Sequence, residues 1–124
     1  MGKARILVID DEPAMRAVLN RVLRDAGYDV AFAADGANGL VEYRKAPADV
    51  VIVDLYMPDK DGLETIVELG KASPVPAIIA MSGHRTKDLM LHSAERLGAL
   101  EVIGKPFEPE ALLQMVGKVL QREW

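Results

Sequence analysis

The sequence predicts one α/β domain in which a parallel β-sheet lies between two layers of helices. Short apolar runs such as Val50–Val53 contain consecutive β-branched residues without alternation, which is typical of strands that are covered on both faces. Each run is followed by a segment with helical periodicity, and this alternation repeats with connections of only a few residues. A length of 124 residues fits a single domain, residues 1–124.

The first two strand and helix units are the clearest. Arg5–Ile9 is the first strand, and Pro13 suits the first turn of a helix that ends at Gly27. The inward stripe of this helix comprises Met15, Val18, Leu19, Val22, Leu23 and Ala26. Residues 28–33 alternate more, as an edge strand does, and a second helix begins at Asp35. Its apolar positions include Leu40, Val41 and Tyr43.

The remaining units follow the same order. The third, fourth and fifth strands are predicted at Asp49–Asp54, Ala77–Met81 and Leu100–Ile103. A helix follows each of these strands. The inward residues of the third helix are Leu63, Ile66, Val67 and Leu69, and those of the fourth are Met90, Ala94 and Leu97. The inward residues of the fifth helix are Leu112, Leu113, Val116, Val119 and Leu120.

Composition and charge exclude several classes of protein. The chain has no cysteine, which rules out disulfides, thiolate metal sites and a cysteine nucleophile. Its net charge of −4 argues against direct binding to nucleic acid, whose phosphates attract clustered lysine and arginine. We find no secretion signal and no apolar run of membrane-spanning length, so we expect a cytoplasmic protein. Because the sequence ends with its last helix, we expect a stand-alone module that acts by contact with other proteins.

Four of the predicted strands lead into side chains that carry chemistry. In chain order these are Asp10 with Asp11, Asp54, Ser82 and Lys105. The carboxyl ends of parallel strands meet at one edge of a sheet, where ligands bind in open α/β folds. Crowded carboxylates repel one another unless a cation lies among them, and oxygen ligands without histidine or cysteine favour Mg²⁺. Carboxylates, Mg²⁺, an ammonium group and a hydroxyl together indicate phosphoryl transfer, with Asp54 as the nucleophile.

These residues resemble the receiver domain of two-component response regulators. The resemblance lies in the order and spacing of motifs that each follow an apolar strand: Asp10-Asp11-Glu12-Pro13, Asp54 with Met57-Pro58-Asp59-Lys60-Asp61-Gly62, Ser82, and Lys105-Pro106-Phe107. It implies a flavodoxin-like (βα)5 three-layer sandwich with a parallel sheet in the order 2-1-3-4-5. It also implies that Asp54 accepts a phosphoryl group from a phosphohistidine. The resemblance assigns Mg²⁺ to Asp10, Asp11, Asp54 and the backbone carbonyl of Tyr56, gives Lys105 and Ser82 contacts with the phosphoryl oxygens, and makes the Lys105–Pro106 bond cis.

The resemblance also implies partners. A sensor histidine kinase or a histidine phosphotransfer protein is expected to dock near Ala14, Met15, Val18 and Phe107. A downstream protein target is expected on the helix at 86–97, the fifth strand and the last helix, with Leu89 or Leu91 as an anchor. The protein is expected to promote its own phosphorylation and dephosphorylation rather than act as a conventional enzyme. We expect a monomer or a weak dimer that depends on phosphorylation.

One residue departs from the family pattern. Three positions before Lys105 the family usually has tyrosine or phenylalanine, and this chain has Val102. Either the segment from Ser82 to Thr86 and the next helix move without an aromatic ring, or the protein passes phosphate on with little conformational output. Tyr56 and His84 occupy positions that tune phosphate lifetime in the family, and their bulk favours slow loss of phosphate.

Three other functions are weighed against this one. A flavodoxin-like ligand binder needs backbone donors in a loop rich in glycine or serine after the first strand, where this chain has an acidic run. A phosphohydrolase generally has its nucleophile after the first strand, not the third. A degenerate receiver that acts only as a scaffold is the alternative that Val102 keeps open.

Overall fold

The computed structural model of the chain describes residues 3–55, 62–83 and 87–121, with the backbone alone described for residues 87–91. All strand pairs are parallel, and the sheet has the order β2-β1-β3-β4-β5. The strands are β1 Arg5–Ile9, β2 Asp29–Ala33, β3 Val50–Asp54, β4 Ala77–Gly83 and β5 Glu101–Lys105. The helices are α1 Pro13–Asp25, α2 Gly36–Lys45, α3 Gly62–Gly70, α4 Lys87–Leu97 and α5 Pro109–Leu120. The predicted architecture, strand order and edge position of β2 are confirmed.

The sheet separates two hydrophobic cores. On one side α2, α3 and α4 contribute buried residues, among them Leu40, Tyr43, Ile66, Leu69 and Ala94. On the other side α1 and α5 contribute Leu19, Leu23, Leu112, Val116 and Val119. Side chains alternate between the two cores along each strand, and β3 is buried throughout. This double burial explains why the strand sequences are apolar without alternation.

Three residues predicted to face inward, Val18, Ala26 and Leu97, are exposed instead, and so is Val41, an apolar position of the second helix. Val18 is 49% exposed, Val41 is 48% exposed and Leu97 is 44% exposed. The buried stripe of α1 is centred on Leu19 and Leu23, which are four residues apart, so the preceding Val18 lies on the solvent side. Val41 follows buried Leu40 and is turned outward in the same way.

Leu97 is exposed because it ends its helix beyond the buried stripe. It is the last residue of α4, one turn after fully buried Ala94. There it lines a shallow groove against α3 together with Leu63 and Val67. Met90, also predicted to face inward, has a side chain outside the described residues.

Two strands extend further than the sequence predicted. β4 continues through Ser82 to Gly83, and β5 continues to Lys105, so both polar residues belong to the sheet rather than to the loops after it. The Lys105–Pro106 bond is cis, as predicted, and the Ser73–Pro74 bond is also cis. None of the described helices is long and apolar enough to cross a membrane.

Candidate functional site

The residues predicted to carry chemistry lie at the edge of the sheet where the strands have their carboxyl ends. Asp10 directly follows β1, Asp54 is the last residue of β3, and Lys105 is the last residue of β5. The connection from β1 to α1 is short, so Asp10 cannot move far from this edge. Tyr56, the predicted backbone ligand, lies outside the described residues.

The ammonium group of Lys105 is at the centre of the site. Its Nζ lies 3.2 Å from Oδ2 of Asp54, 3.3 Å from Oδ2 of Asp10 and 3.4 Å from Oε1 of Glu12. The side chains of Asp10 and Asp54 are 0% and 4% exposed, and that of Lys105 is 15% exposed. Carboxylates buried to this degree stay ionised only when a cation or several hydrogen-bond donors pair with them. Lys105 supplies such a positive charge to both aspartates.

Two opposing effects act on the pKa of Lys105. Burial lowers the pKa, because a low-dielectric environment disfavours the charged ammonium. The negative charges of Asp54 and Asp10, and the hydrogen bonds that their carboxylates accept, raise the pKa and outweigh burial. The pKa of Lys105 thus lies above its ordinary value, and the ammonium stays charged at neutral pH.

Asp10 is fixed by hydrogen bonds on its side chain and on its backbone. Oδ1 accepts a hydrogen bond from the backbone N–H of Glu12 at 2.9 Å, and Oδ2 accepts one from Lys105. The carbonyl oxygen of Asp10 accepts a hydrogen bond from Nη1 of Arg16 at 2.8 Å. Its backbone N–H donates to the carbonyl of Ala33 at 3.1 Å. The orientation of this carboxylate is therefore set before any ligand arrives.

The backbone that presents Asp54 is also tightly held. The N–H of Leu55 donates to the carbonyl of Met81 at 2.8 Å, which extends the pairing of β3 with β4 past Asp54. Gly62, the first residue of α3, packs against this strand end. A Cβ at residue 62 would collide with the carbonyl oxygen of Asp54 and the Cα of Leu55. Close approach of two backbones therefore requires glycine here, and it links the start of α3 to Asp54.

Ser82 lies at the same edge and is fully buried. It follows Met81, which pairs in register with Asp54, and it pairs with Gly104 next to Lys105. Its Oγ donates a hydrogen bond to the carbonyl oxygen of Gly83 at 3.3 Å.

Three carboxylates are close enough to share a metal ion. One oxygen from each of Asp10, Glu12 and Asp54 lies within 4.8 Å of the others. Mg²⁺ is usually held by one or two carboxylates and retains several waters, so this set fits that ion. Asp11, predicted as a ligand, is half-buried and does not belong to this group of described carboxylates.

Glu12 is the residue of this group that sequence reasoning missed. In the sequence Glu12 stands out only as part of the acidic run after β1. Its backbone is extended, with φ −88° and ψ 116°, and side chains at alternate positions of an extended chain point to the same side. Continuing the strand periodicity beyond Ile9 would have paired Glu12 with Asp10.

The comparison with protein families decides the class of protein. A family model described as the response regulator receiver domain matches residues 6–117. The chain belongs to the response regulator receiver domains.

Relatives of known sequence and structure agree with this assignment. The receiver domain is 39% identical over 122 residues to a probable transcriptional regulator, ycf27, of Porphyridium aerugineum, covering 98% of this chain but 50% of that protein. It is 35% identical to the chemotaxis protein CheY of Thermotoga maritima, covering 96% of this chain and 98% of that one. The structure of CheY4 from Vibrio cholerae has a TM-score of 0.88 at 32% identity and covers 95% of this chain and 99% of that chain.

Family membership has several direct consequences. Receiver domains are signalling modules of two-component systems rather than conventional enzymes, and they interact with histidine kinases and downstream effectors. Phosphorylation and Mg²⁺ binding at an acidic pocket are typical of them. The match favours neither a flavodoxin-like ligand binder nor a scaffold without phosphoacceptor chemistry. The chain spans about half the length of some regulators that it matches and about a quarter of others, such as NtrC of Bradyrhizobium.

Proposed function

We propose that Asp54 is the phosphoacceptor and that it receives its phosphoryl group from a phosphohistidine of a sensor histidine kinase or a histidine phosphotransfer protein. A carboxylate oxygen of Asp54 attacks phosphorus, the phosphorus–nitrogen bond to the histidine breaks, and the imidazole leaves as the neutral ring after taking up a proton. The observation that carries this proposal is the contact of Lys105 Nζ with Asp54 Oδ2 at 3.2 Å. It places a positive charge beside the buried carboxylate at the point where an anionic nucleophile is needed.

The other site residues have distinct roles in this proposal. Lys105 moves from the Asp54 carboxylate to an oxygen of the incoming phosphoryl group and offsets its charge. The Ser82 hydroxyl donates a hydrogen bond to a second phosphoryl oxygen. Asp10, Asp11, Asp54 and the carbonyl of Tyr56 hold Mg²⁺. When bound, this ion neutralises negative charge on the transferring group. The same groups allow the domain to promote its own phosphorylation and dephosphorylation.

The phosphodonor is proposed to dock on the exposed surface around the start of α1. Ala14 is exposed there and Val18 is 49% exposed, while Met15 and Phe107 are half-buried. This combination supplies apolar area close to the site without forming part of the core. Val18, which the helical stripe had placed inside, is thereby available to a partner.

The output is proposed to pass through α4, β5 and α5 to a protein target. An ion pair of 3.1 Å between Lys118 and Glu101 joins α5 to β5 on this side. Val102 is half-buried and packs against the core beneath α4, so a response here proceeds without an aromatic ring. The proposed anchors Leu89 and Leu91 have side chains outside the described residues, and His84 lies outside them entirely.

For the chain as a whole we propose a single receiver domain over residues 1–124, located in the cytoplasm, that is a monomer or forms a weak dimer upon phosphorylation. With a net charge of −4, this domain makes no direct contact with nucleic acid in our proposal. Relatives such as MtrA of Mycolicibacterium smegmatis are described as DNA-binding response regulators, and the chain spans 52% of that protein.

Intact mass after incubation with acetyl phosphate tests the proposed phosphoacceptor. The wild type is expected to gain one phosphoryl group when Mg²⁺ is present and none when EDTA replaces it. Asp54→Asn is expected to gain none. Asp35→Asn is the matched control, because asparagine caps α2 as well as the aspartate that now accepts the Asn38 N–H. Phosphorylation of Asp54→Asn, or its absence in the folded wild type, would overturn the proposal.

A further inference from the structure

Glu12 occupies the N-cap position of α1 but does not cap the helix. Its side chain makes no hydrogen bond to the first turn, and glutamate is not among the residues preferred for that purpose. Its backbone N–H is held by Oδ1 of Asp10 at 2.9 Å. Its carboxylate reaches across the sheet edge to within 3.4 Å of the Lys105 ammonium. The backbone is thus anchored by one site residue while the side chain contacts another.

The chain provides an internal comparison for this geometry. Glu108 is the N-cap residue of α5, is also followed by proline, and likewise makes no capping bond. Within the described ranges its side chain has no ion pair. The sequence context of a glutamate before proline therefore does not explain where the Glu12 carboxylate lies. The attraction between this carboxylate and the Lys105 ammonium explains its position.

We propose that Glu12 is an additional, movable carboxylate of the metal site, which pairs with Lys105 before a divalent cation binds and adds to the negative charge that attracts the cation. This inference rests on the proposed Mg²⁺ site and names a residue that tunes it. The Glu12 side chain is 63% exposed, whereas those of Asp10 and Asp54 are 0% and 4% exposed. Glu12 can therefore reorient into water when Lys105 moves, while the two aspartates stay in place.

The charge of Glu12 acts in opposite directions on two steps. The three grouped carboxylates and Lys105 carry a formal net charge of −2, and Asp11, proposed as a further ligand, adds to it, so the site attracts a divalent ion. Glu12 therefore strengthens Mg²⁺ binding. The same negative charge repels an anionic phosphodonor, so Glu12 slows phosphorylation once the metal site is saturated.

The size of both effects follows from Coulomb's law. The three carboxylate oxygens lie within 4.8 Å of one another. A unit charge removed at about 5 Å from a divalent ion changes the affinity for that ion by about fivefold in water at physiological ionic strength. A doubly charged phosphodonor at similar distance experiences a repulsion of about the same size.

Calorimetric titration with MgCl2 and phosphorylation by acetyl phosphate at saturating Mg²⁺ test this role. Glu12→Gln keeps the shape of the side chain and removes its charge. We expect it to bind Mg²⁺ about fivefold more weakly and to be phosphorylated about fivefold faster at saturation. Glu108→Gln is the matched control and should change neither quantity. Urea unfolding verifies that both variants are folded.

The outcomes separate this inference from the proposed function. Wild-type affinity for Mg²⁺ in Glu12→Gln overturns the role of Glu12 and leaves the phosphoacceptor proposal intact. Loss of affinity without a faster reaction at saturation indicates that Glu12 only supports the loop, and also overturns it. If the wild type binds no Mg²⁺, the proposed metal site itself is wrong, and the role of Glu12 fails with it.

Discussion

Replacing Lys105 with methionine tests the electrostatic balance of the site most directly. Methionine has a side chain of similar length but no charge, so Lys105→Met leaves two buried carboxylates facing each other. In the wild type the ammonium lies 3.2 Å from Asp54 and 3.3 Å from Asp10. The substitution therefore converts a compensated site into a repulsive one without creating a large cavity.

The expected loss of stability can be bounded from these distances. Unit charges 3.2 Å apart attract each other by about 5 kcal/mol at an effective dielectric constant of about 20, and desolvation offsets much of that gain. Removing one partner of a buried ion pair costs about 3–5 kcal/mol. Because Lys105 is 15% exposed, water can reach the space that its ammonium vacates. We therefore expect the lower end, a loss of about 3 kcal/mol.

Urea unfolding followed by circular dichroism measures this loss, in EDTA and again in saturating MgCl2. A divalent cation among the carboxylates replaces the missing ammonium, so the deficit should shrink when Mg²⁺ is added. Lys118→Met is the control. Its ion pair with Glu101 is shorter, at 3.1 Å, but the Lys118 side chain is 65% exposed, so the loss should stay below about 1 kcal/mol. If Lys105→Met proves as stable as the wild type in EDTA, the two aspartates do not depend on this lysine.

Two further substitutions test features away from the ammonium. Gly62→Ala should destabilise the fold by about 1–3 kcal/mol in urea unfolding, because its Cβ would collide with the backbone of Asp54. Gly70→Ala, at the other end of α3, is the control. A Cβ there meets no described atom within 4 Å, so this substitution should be neutral or stabilising. Burial, and secondly the charge of Asp49, raise the pKa of Tyr43 above 10.0, so the folded state holds this proton more tightly than the unfolded state. That contribution to stability is complete below pH 10 and is lost as the pH rises through the folded pKa. Tyr43→Phe should lower the free energy of unfolding by about 1 kcal/mol at neutral pH, because it removes the hydrogen bond to the Pro74 carbonyl. Between neutral and alkaline pH the variant should lose less stability than the wild type. Equal losses of stability in the two proteins would contradict the raised pKa of Tyr43.

The sequence allowed the fold to be predicted well, because each element has a local signature. The runs of β-branched residues reflect burial on both faces of the sheet, which an apolar stretch such as Val50–Val53 reveals on its own. Which helix residues face the core was harder to predict from the sequence. Val18 is exposed because the packing angle of α1 against the sheet decides which side of a broad apolar stripe is covered. That angle is a tertiary property, so periodicity alone could not distinguish Val18 from its buried neighbour Leu19.

The candidate site could be predicted in part for a similar reason. Asp10, Asp54 and Lys105 follow apolar strands, and the parallel arrangement alone brings strand ends together. Glu12 belongs to a connection whose conformation depends on the hydrogen bond between its N–H and Asp10 Oδ1. The residue types alone do not show that the extended backbone continues through Glu12, and the pairing of Glu12 with Asp10 depends on that continuation.

The partition of the interior into two cores affects how this domain can diverge. Helices α1 and α5 pack on one side of the sheet, and α2, α3 and α4 pack on the other. In our proposal the phosphodonor docks on α1 and the target contacts α4 and α5. Substitutions that reshape α4 are then repacked against one core, whereas those in α1 and α5 share the other. The fully buried strand β3 lies between the two cores and carries Asp54 at its end. Changes in α4 can therefore accumulate without repacking α1, whereas changes in α5 also affect the core on which α1 packs.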